Sequence, residues 1–424
     1  MIKSNKVNVL SILIYIYVFL IILSTNSVYN NLNKLNFHIP IILIGIQSLI
    51  LIYCFFKNKI RRDKLFKSII ICILYEFLMI GFCLLNKPYN LLNYISRWLM
   101  ITPLAFLHFT IIDKSCEFTK KICLAFIKIM VALSLVSIVF YILGPLTGLI
   151  KYSNLVNIHW GGDKFVKSYY NLYFTMQFFY SKYFSLPRNS GIFTEAPMFA
   201  LSLVIAFCLA IMRKGVNKKD IAILFITIFS TMSTTAIIIV SLILVVKLLT
   251  YKSKNRIHIF VKRFIFPIVA VVLIITAAFI LNIRLGTSSY TARRDDFNAS
   301  ITSFLKSPVY GIGYGNEKGI IKNMNSNRKD KKGDYNIGIS TSFGALLAEC
   351  GVLFLVFQIA GIIILYKLAL SKKDYNIILF YLVIMYLYLT TIFAYTPLLY
   401  ILIAYTYNPL INSNNQGKTN SKKI

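Results

Sequence analysis

Stretches of about 20 apolar residues recur along this chain, each separated from the next by a cluster of Lys and Arg, and that alternation leaves few folds open. A hydrocarbon layer of about 30 Å is crossed by about 20 residues rising 1.5 Å each. Runs that meet this length lie near 7–25, 39–56, 68–85, 92–112, 122–143, 192–212, 264–283, 340–366, 376–392 and 396–410. Charged residues make up 14% of the chain and hydrophobic ones 58%, against about 25% charged in soluble domains. An ordinary water-soluble globule is therefore excluded. The first run, Val7 to Thr25, has no small-residue cleavage site and is followed by another long apolar segment, so it reads as a first span and not as a removed signal peptide.

The run 221–249 does not fit a single crossing. One helix of that length would extend about 43 Å and would deliver Lys252, Lys254, Arg256, Lys262 and Arg263 to the outer side, against the preference of basic residues for the cytoplasm. Ser230-Thr231-Met232-Ser233-Thr234-Thr235 interrupts it with hydroxyls able to satisfy backbone groups freed by a turn. Two short helices joined near 230–235 are expected, and with them about twelve transmembrane segments.

The formal net charge of +32 then divides in two. With both termini cytoplasmic, 27 of the 46 Lys and Arg fall in the inner links and tails, as the positive-inside rule requires. Most of the others fall in two long outer loops, 144–191 and 284–339, the second carrying ten Lys or Arg. Long loops escape the orientation rule, so their charge asks for a binding explanation. A nucleic-acid partner is not indicated, because the basic residues are dispersed over separate links.

These readings describe an all-α polytopic membrane protein. Its parts are N-terminal membrane helices (1–143), an external loop with an interfacial aromatic segment (144–191), central membrane helices (192–283), a basic external loop (284–339), and C-terminal membrane helices with a cytoplasmic tail (340–424). Seven Cys without CxxC spacing and four His without ligand spacing indicate neither a disulfide framework nor a metal site.

Several constellations could carry chemistry. Arg188-Asn189-Ser190-Gly191-Ile192-Phe193-Thr194-Glu195-Ala196-Pro197 leads from the first outer loop into a span. An Arg beside a helix start suits phosphate oxygens, and it equally suits an interfacial anchor. Arg284, Arg293 and Arg294 open the second loop, and Ser307-Pro308-Val309-Tyr310-Gly311-Ile312-Gly313-Tyr314-Gly315-Asn316 follows. Its alternate glycines let backbone approach a ligand closely, though composition alone favours a flexible external turn. Glu76 and Glu349 lie inside spans and Glu195 near a span's outer end. A charge there costs about 2.5–3.5 kcal/mol on insertion scales and needs a cavity or partner. Arg97 is the expected ion-pair partner of Glu76, while Glu195 and Glu349 adjoin the outer loops and are candidate general bases. The aromatic stretch from Tyr169 to Phe184 reads as a belt at the bilayer surface, with stacking on sugar rings as the other use. Asp295-Asp296 could touch a cation, but in a basic loop pairing with Lys or Arg is favoured.

Together these pieces resemble the Wzy-type polymerases of O-antigen and capsular polysaccharide, within the O-antigen ligase-like superfamily. The resemblance covers about 185–365 at motif level: Arg188-x-x-Gly191-x-Phe193-x-Glu195-x-Pro197, the short-helix pair at Ser230–Thr235, Arg293-Arg294 with Ser307 to Asn316, and Asn336 with Ser340 ahead of Glu349-Cys350-Gly351. Ligases of the superfamily often carry a His where Tyr335 stands here, so polymerase is the closer likeness. The resemblance implies transfer of an undecaprenyl-diphosphate-linked oligosaccharide chain onto an incoming unit, on the outer face of the bacterial cytoplasmic membrane. It implies a metal-independent glycosyltransferase without cofactor, working among membrane lipids, with a chain-length regulator protein as a possible partner. Arg188, Arg284, Arg293 and Arg294 are expected to hold the diphosphate, Glu195 or Glu349 to accept a proton, and Gly311, Gly313, Gly315, Asn316 and Asn336 to lie near the substrate. The alternatives are a lipid-linked oligosaccharide flippase or transporter, and a ligase-like transferase.

Overall fold

The computed structural model describes residues 8–32, 38–112, 117–159, 163–180, 185–250, 288–328, 338–372 and 374–412. The expected span 264–283, together with Arg284 and Asn336, lies outside the described residues.

The chain is mostly helical. The helices are α1 (Val9–Ser24), α2 (His38–Phe56), α3 (Arg62–Asn86), α4 (Leu91–Ile112), α5 (Glu117–Leu146), α6 (Ala196–Met212), α7 (Lys218–Ser230) and α8 (Thr234–Thr250). After them come α9 (Ser288–Lys306), α10 (Glu317–Ile321), α11 (Ser342–Ser371), α12 (Tyr375–Thr390), α13 (Pro397–Thr406) and α14 (Pro409–Asn412). Among the described residues, α2, α3, α4, α5 and α11 are long and apolar enough to cross a membrane. In α4 the coil widens to π spacing at Ile95–Ile101, where the Thr102 N–H reaches back to Arg97, ahead of Pro103, which has no N–H to give.

Burial grades these helices from centre to edge. In α6 nearly every residue from Ala196 to Cys208 is buried, and 61% of the α4 window is buried against 11% of the α3 window. Along α3, Phe66, Leu74, Phe77 and Leu84 are each more than 60% exposed. In water such a stripe would be an oversized apolar patch. Its natural surroundings are lipid chains.

The run 221–249 is broken, as its length and flanking charges require: α7 ends and α8 begins around Thr231–Ser233, with Met232 in the left-handed region at φ 50°.

Two segments expected to be outer loops differ from expectation. The region 144–191 is not purely interfacial coil. It builds β1 (Asn154–His159), β2 (Asp163–Tyr169) and β3 (Tyr173–Thr175) as one antiparallel sheet in that order, and β4 (Phe178–Tyr180) with β5 (Ser185–Pro187) as another. The fold is therefore not all-α. In register, Val156 faces Val166 and Ile158 faces Lys164, and Ile158, Val166 and Phe174 pack on Val28. Tyr169, Tyr173 and Phe174 are buried, which corrects the belt reading for those three; they are core residues of the sheet. Tyr170 and Asn171, both at positive φ, form the turn between β2 and β3.

The second segment, 284–339, is not only a loop: among its described residues 288–306 form the helix α9. In α9 the buried positions Asp296, Ala299, Ser300 and Ser303 recur every three or four residues, and this narrow stripe meets α11 so closely that a Cβ on Gly344 would lie 2.9 Å from the Ser300 Oγ. Small side chains allow that approach.

The two ends of the bundle differ. At one end basic links lie together: the Lys64 Nζ donates to Ile411 (3.0 Å), Lys67 to Leu410 (3.3 Å), Arg213 to Lys120, and the Arg61 amide to Ile111 (2.9 Å). At the other end the link after α1 joins the segment before α6 through the Val28 N–H to Ile192 (2.9 Å), and the Asn26 amide donates to Ile392 (2.9 Å).

A third of the way along α11 the helix breaks at Gly351, which has φ 69° and ψ −167°. The segment Pro308–Gly313 inserts there and bonds the freed groups: Val352 N–H to Pro308 (2.9 Å), Ile312 N–H to Ala348 (3.0 Å) and Gly313 N–H to Glu349 (3.1 Å). A Cβ on Gly351 would lie 2.5 Å from the Val309 carbonyl oxygen. Gly351→Ala should therefore cost about 2 kcal/mol or more, read as a lowered melting midpoint in detergent; an unchanged midpoint would disprove this account of the break.

Candidate functional site

Between the strand-bearing segment, α4, α9 and the starts of α6 and α8 lies a polar cavity of about 610 Å³. Its wall includes the α1–α2 link, the start of α4, Lys164, Arg188 and Glu195, the α7–α8 turn, Arg293, Tyr314, Gly315 and Glu317, and Thr390 to Phe393 with Tyr395. All of these belong to links or span ends that the charge pattern assigns to the outer side.

Arg188 leaves β5 with its guanidinium against the α7–α8 turn. Its Nε donates to the Thr231 carbonyl (3.0 Å) and one terminal N–H to Gln177 Oε1 (3.3 Å). Next to it Asn189, fully buried, donates to the Ser230 Oγ (2.9 Å). The residues Arg188-Asn189 thus fasten the crossing turn to the cavity wall. Glu195 caps the start of α6 with extended backbone and faces the cavity, and Pro197 occupies the first turn, where its missing N–H costs nothing.

Arg293 also lines the cavity and donates to the Thr390 carbonyl (3.1 Å). Arg294, its neighbour on α9, is exposed and is not among the lining residues. Asp296 faces the cavity and is held by Arg328, whose terminal nitrogen lies 2.5 Å from Asp296 and 2.9 Å from Asp295. The paired aspartates are an ion-pair site for Arg328, and among the described residues no group of three or more His, Cys, Asp or Glu is placed to hold a metal ion.

The glycine run forms the floor. A Cβ on Gly311 would overlap the Glu349 backbone at 2.2 Å, and one on Gly313 would come within 3.0 Å of the Lys87 carbonyl oxygen. These glycines therefore permit backbone to meet protein backbone, while Gly315 is the one that reaches the cavity. Asn316 caps α10 by accepting from the Gly319 N–H (3.0 Å). Glu349 is fully buried beneath this floor, with one carboxylate oxygen accepting from the Gly315 N–H (2.9 Å) and the other from the Tyr395 hydroxyl (2.6 Å).

Arg97, Tyr314 and Glu317 are among the lining residues not singled out for the site by sequence. Arg97 does not pair with Glu76; it is buried, and it donates to the Tyr314 hydroxyl at 3.2 Å. Tyr314 in turn shares a hydrogen bond with Tyr400 (2.8 Å), and both pack on Trp98. The expected partner of Arg97 is displaced because α4 turns that side chain toward the glycine run, 217 residues away in sequence. Glu317 lines the cavity opposite Gly338. Burial pushes its carboxyl above the ordinary carboxylate range, and a backbone hydrogen bond from Ile339 works against that rise. Only the charge on Arg97, at a span's outer end, was a signal that could have drawn attention beforehand.

No family model, curated protein or solved structure matches the chain.

The Arg328 clamp can be tested directly. Arg328→Met leaves Asp296, only 1% exposed, without its counter-charge; the expected loss is about 3 kcal/mol, measured as a fall in melting midpoint of purified protein that Asp296→Asn in the same chain partly restores.

Proposed function

We propose that the protein polymerises lipid-diphosphate-linked oligosaccharide units by glycosyl transfer on the outer face of the membrane, as the Wzy-type polymerases do. The observation that carries this reading is convergence: Arg188 with Glu195, Arg293, and Tyr314-Gly315 come from three separated parts of the chain, and all line one cavity. Those are the parts in which the resemblance resides. The cavity lies at the end opposite the basic links, so the positive-inside rule orients it outward. On this reading both termini are cytoplasmic, about twelve segments cross or enter the bacterial cytoplasmic membrane, and the α7–α8 pair enters as two short helices.

The chemistry follows from the wall. Breaking the anomeric C–O bond of the donor leaves a lipid diphosphate, and positive charge placed where that negative charge develops lowers the barrier. Arg188, Arg293 and Arg97 supply guanidinium groups on the cavity wall, whose planar N–H forks suit phosphate oxygens. The cavity's asparagines, among them Asn26, Asn90 and Asn93, carry amide donors and acceptors suited to sugar hydroxyls. Arg294, on the exposed side of α9, is left as a surface contact for lipid headgroups.

Deleting the gene and analysing lipid-linked sugars tests the class: single repeat units should accumulate on the outer leaflet, whereas accumulation on the inner leaflet would point to a flippase. Arg188→Ala and Arg293→Ala, checked for normal insertion, should each reduce polymer formation about 100-fold; full-length polymer at the normal rate from both would sink the diphosphate clamp.

A further inference from the structure

The hydroxyl that attacks the donor must give up a proton to a group it can reach. Among the described residues, Glu195, Asp296 and Glu317 line the cavity and Glu349 lies beneath its floor. Their bonding separates them. Asp296 has one oxygen on Arg328 and the other accepting from the Ser340 N–H (3.1 Å). Both oxygens of Glu349 are engaged by Gly315 and Tyr395, and the residue does not line the cavity. Glu195 stands at the N-cap of α6, a helix of 17 residues whose positive end attracts negative charge, whereas α10, which Glu317 opens, has five. Glu317 remains: it faces the cavity, and among the described residues its carboxylate is bonded by the Ile339 backbone N–H. No Lys or Arg nitrogen within 4.0 Å of Glu317 is found among the described residues.

We propose that Glu317 is the catalytic residue that accepts the proton of the attacking hydroxyl, an assignment that rests on the transferase reading above. In the step, the acceptor oxygen forms a bond to the anomeric carbon while the bond from that carbon to the phosphate oxygen breaks. The electron pair of the broken bond leaves with the lipid diphosphate, and the hydroxyl proton passes to the Glu317 carboxylate and from there to water. A half-buried carboxylate with no cation within 4.0 Å among the described residues is a stronger base than an exposed one.

The groups facing Glu317 set its titration. Tyr395 and Glu349 are coupled to it electrostatically, Arg97, Arg293 and Asp296 stand on the same cavity wall, and Lys318 follows it in α10. Because burial raises the Glu317 carboxyl and the base must be ionised, activity should rise with pH through a value above that of an ordinary glutamate.

The test uses the full chain in proteoliposomes with a lipid-linked repeat unit, following polymer formation across pH and substrate binding separately. Glu317→Gln should lower the rate about 100-fold or more, abolish the acid limb of the profile, and leave binding of the lipid-linked unit and the melting midpoint near those of the parent. Glu317→Asp should retain an acid limb at reduced rate. A Glu317→Gln protein that polymerises at the parent rate with the limb intact would overturn the assignment and leave the polymerase reading standing. Loss of binding and of melting stability together would also overturn it, showing a structural role. A parent protein that binds the unit yet makes no polymer would overturn both readings.

Discussion

The arrangement of the cavity end depends on how one broken helix satisfies its backbone. Inside a hydrocarbon layer each unpaired N–H or C=O costs several kcal/mol, so a long helix can turn aside only if other backbone comes to meet it. At Gly351 that backbone is Pro308–Gly313, and the four bonds it makes with α11 fix the following residues in place. Tyr314 and Gly315 are then delivered to the cavity floor, and the Asn86 side chain locks the approach by accepting from the Tyr314 N–H (2.8 Å) and donating to the Glu349 carbonyl (2.7 Å). Removing either glycine at this crossing would force apart segments that have no room to separate.

Charge organises the molecule at two scales. Along the chain, Lys-rich links gather at one end, where several of their side chains bond the carbonyls of α14 and of the α5 start. Within the cavity Arg prevails over Lys: Arg97, Arg188 and Arg293 line it with Lys164. A planar guanidinium can spend some of its five donors on protein carbonyls and keep others for a ligand. Arg188 bonds the Thr231 carbonyl, and Arg293 the Thr390 carbonyl. An ammonium held by the same carbonyls would have little left to offer.

Much of the helical framework was legible in the sequence because apolar length is a strong signal. The run read as 39–56 is α2 at His38–Phe56, and the interruption at Ser230–Thr235 is the turn between α7 and α8. Two kinds of element were hidden. The strands of 154–187 are three to seven residues long, and their inward positions alternate over too short a distance to stand out in an aromatic-rich stretch. The helix α9 buries Asp296, Ala299, Ser300 and Ser303, a stripe of small and polar residues that hydropathy does not register. For the site, charged residues such as Arg188, Glu195 and Arg293 could be singled out one by one. The floor could not, since the Arg97–Tyr314–Tyr400 chain joins segments hundreds of residues apart whose meeting depends on the break in α11.

The outward face of α3 bears on how a protein of this design ages. Phe66, Leu74, Phe77 and Leu84 touch little but their surroundings, and hydrocarbon accepts any apolar side chain in their place. Similar freedom extends along the exposed flanks of α2 and α12, at positions such as Phe56 and Leu382. Drift can therefore rewrite most of the lipid-facing surface while a small set of Arg, Glu, Asn and Gly residues stays pinned by the cavity and the helix break. Kinship between such chains would persist as the order and spacing of a few polar landmarks long after overall identity had faded.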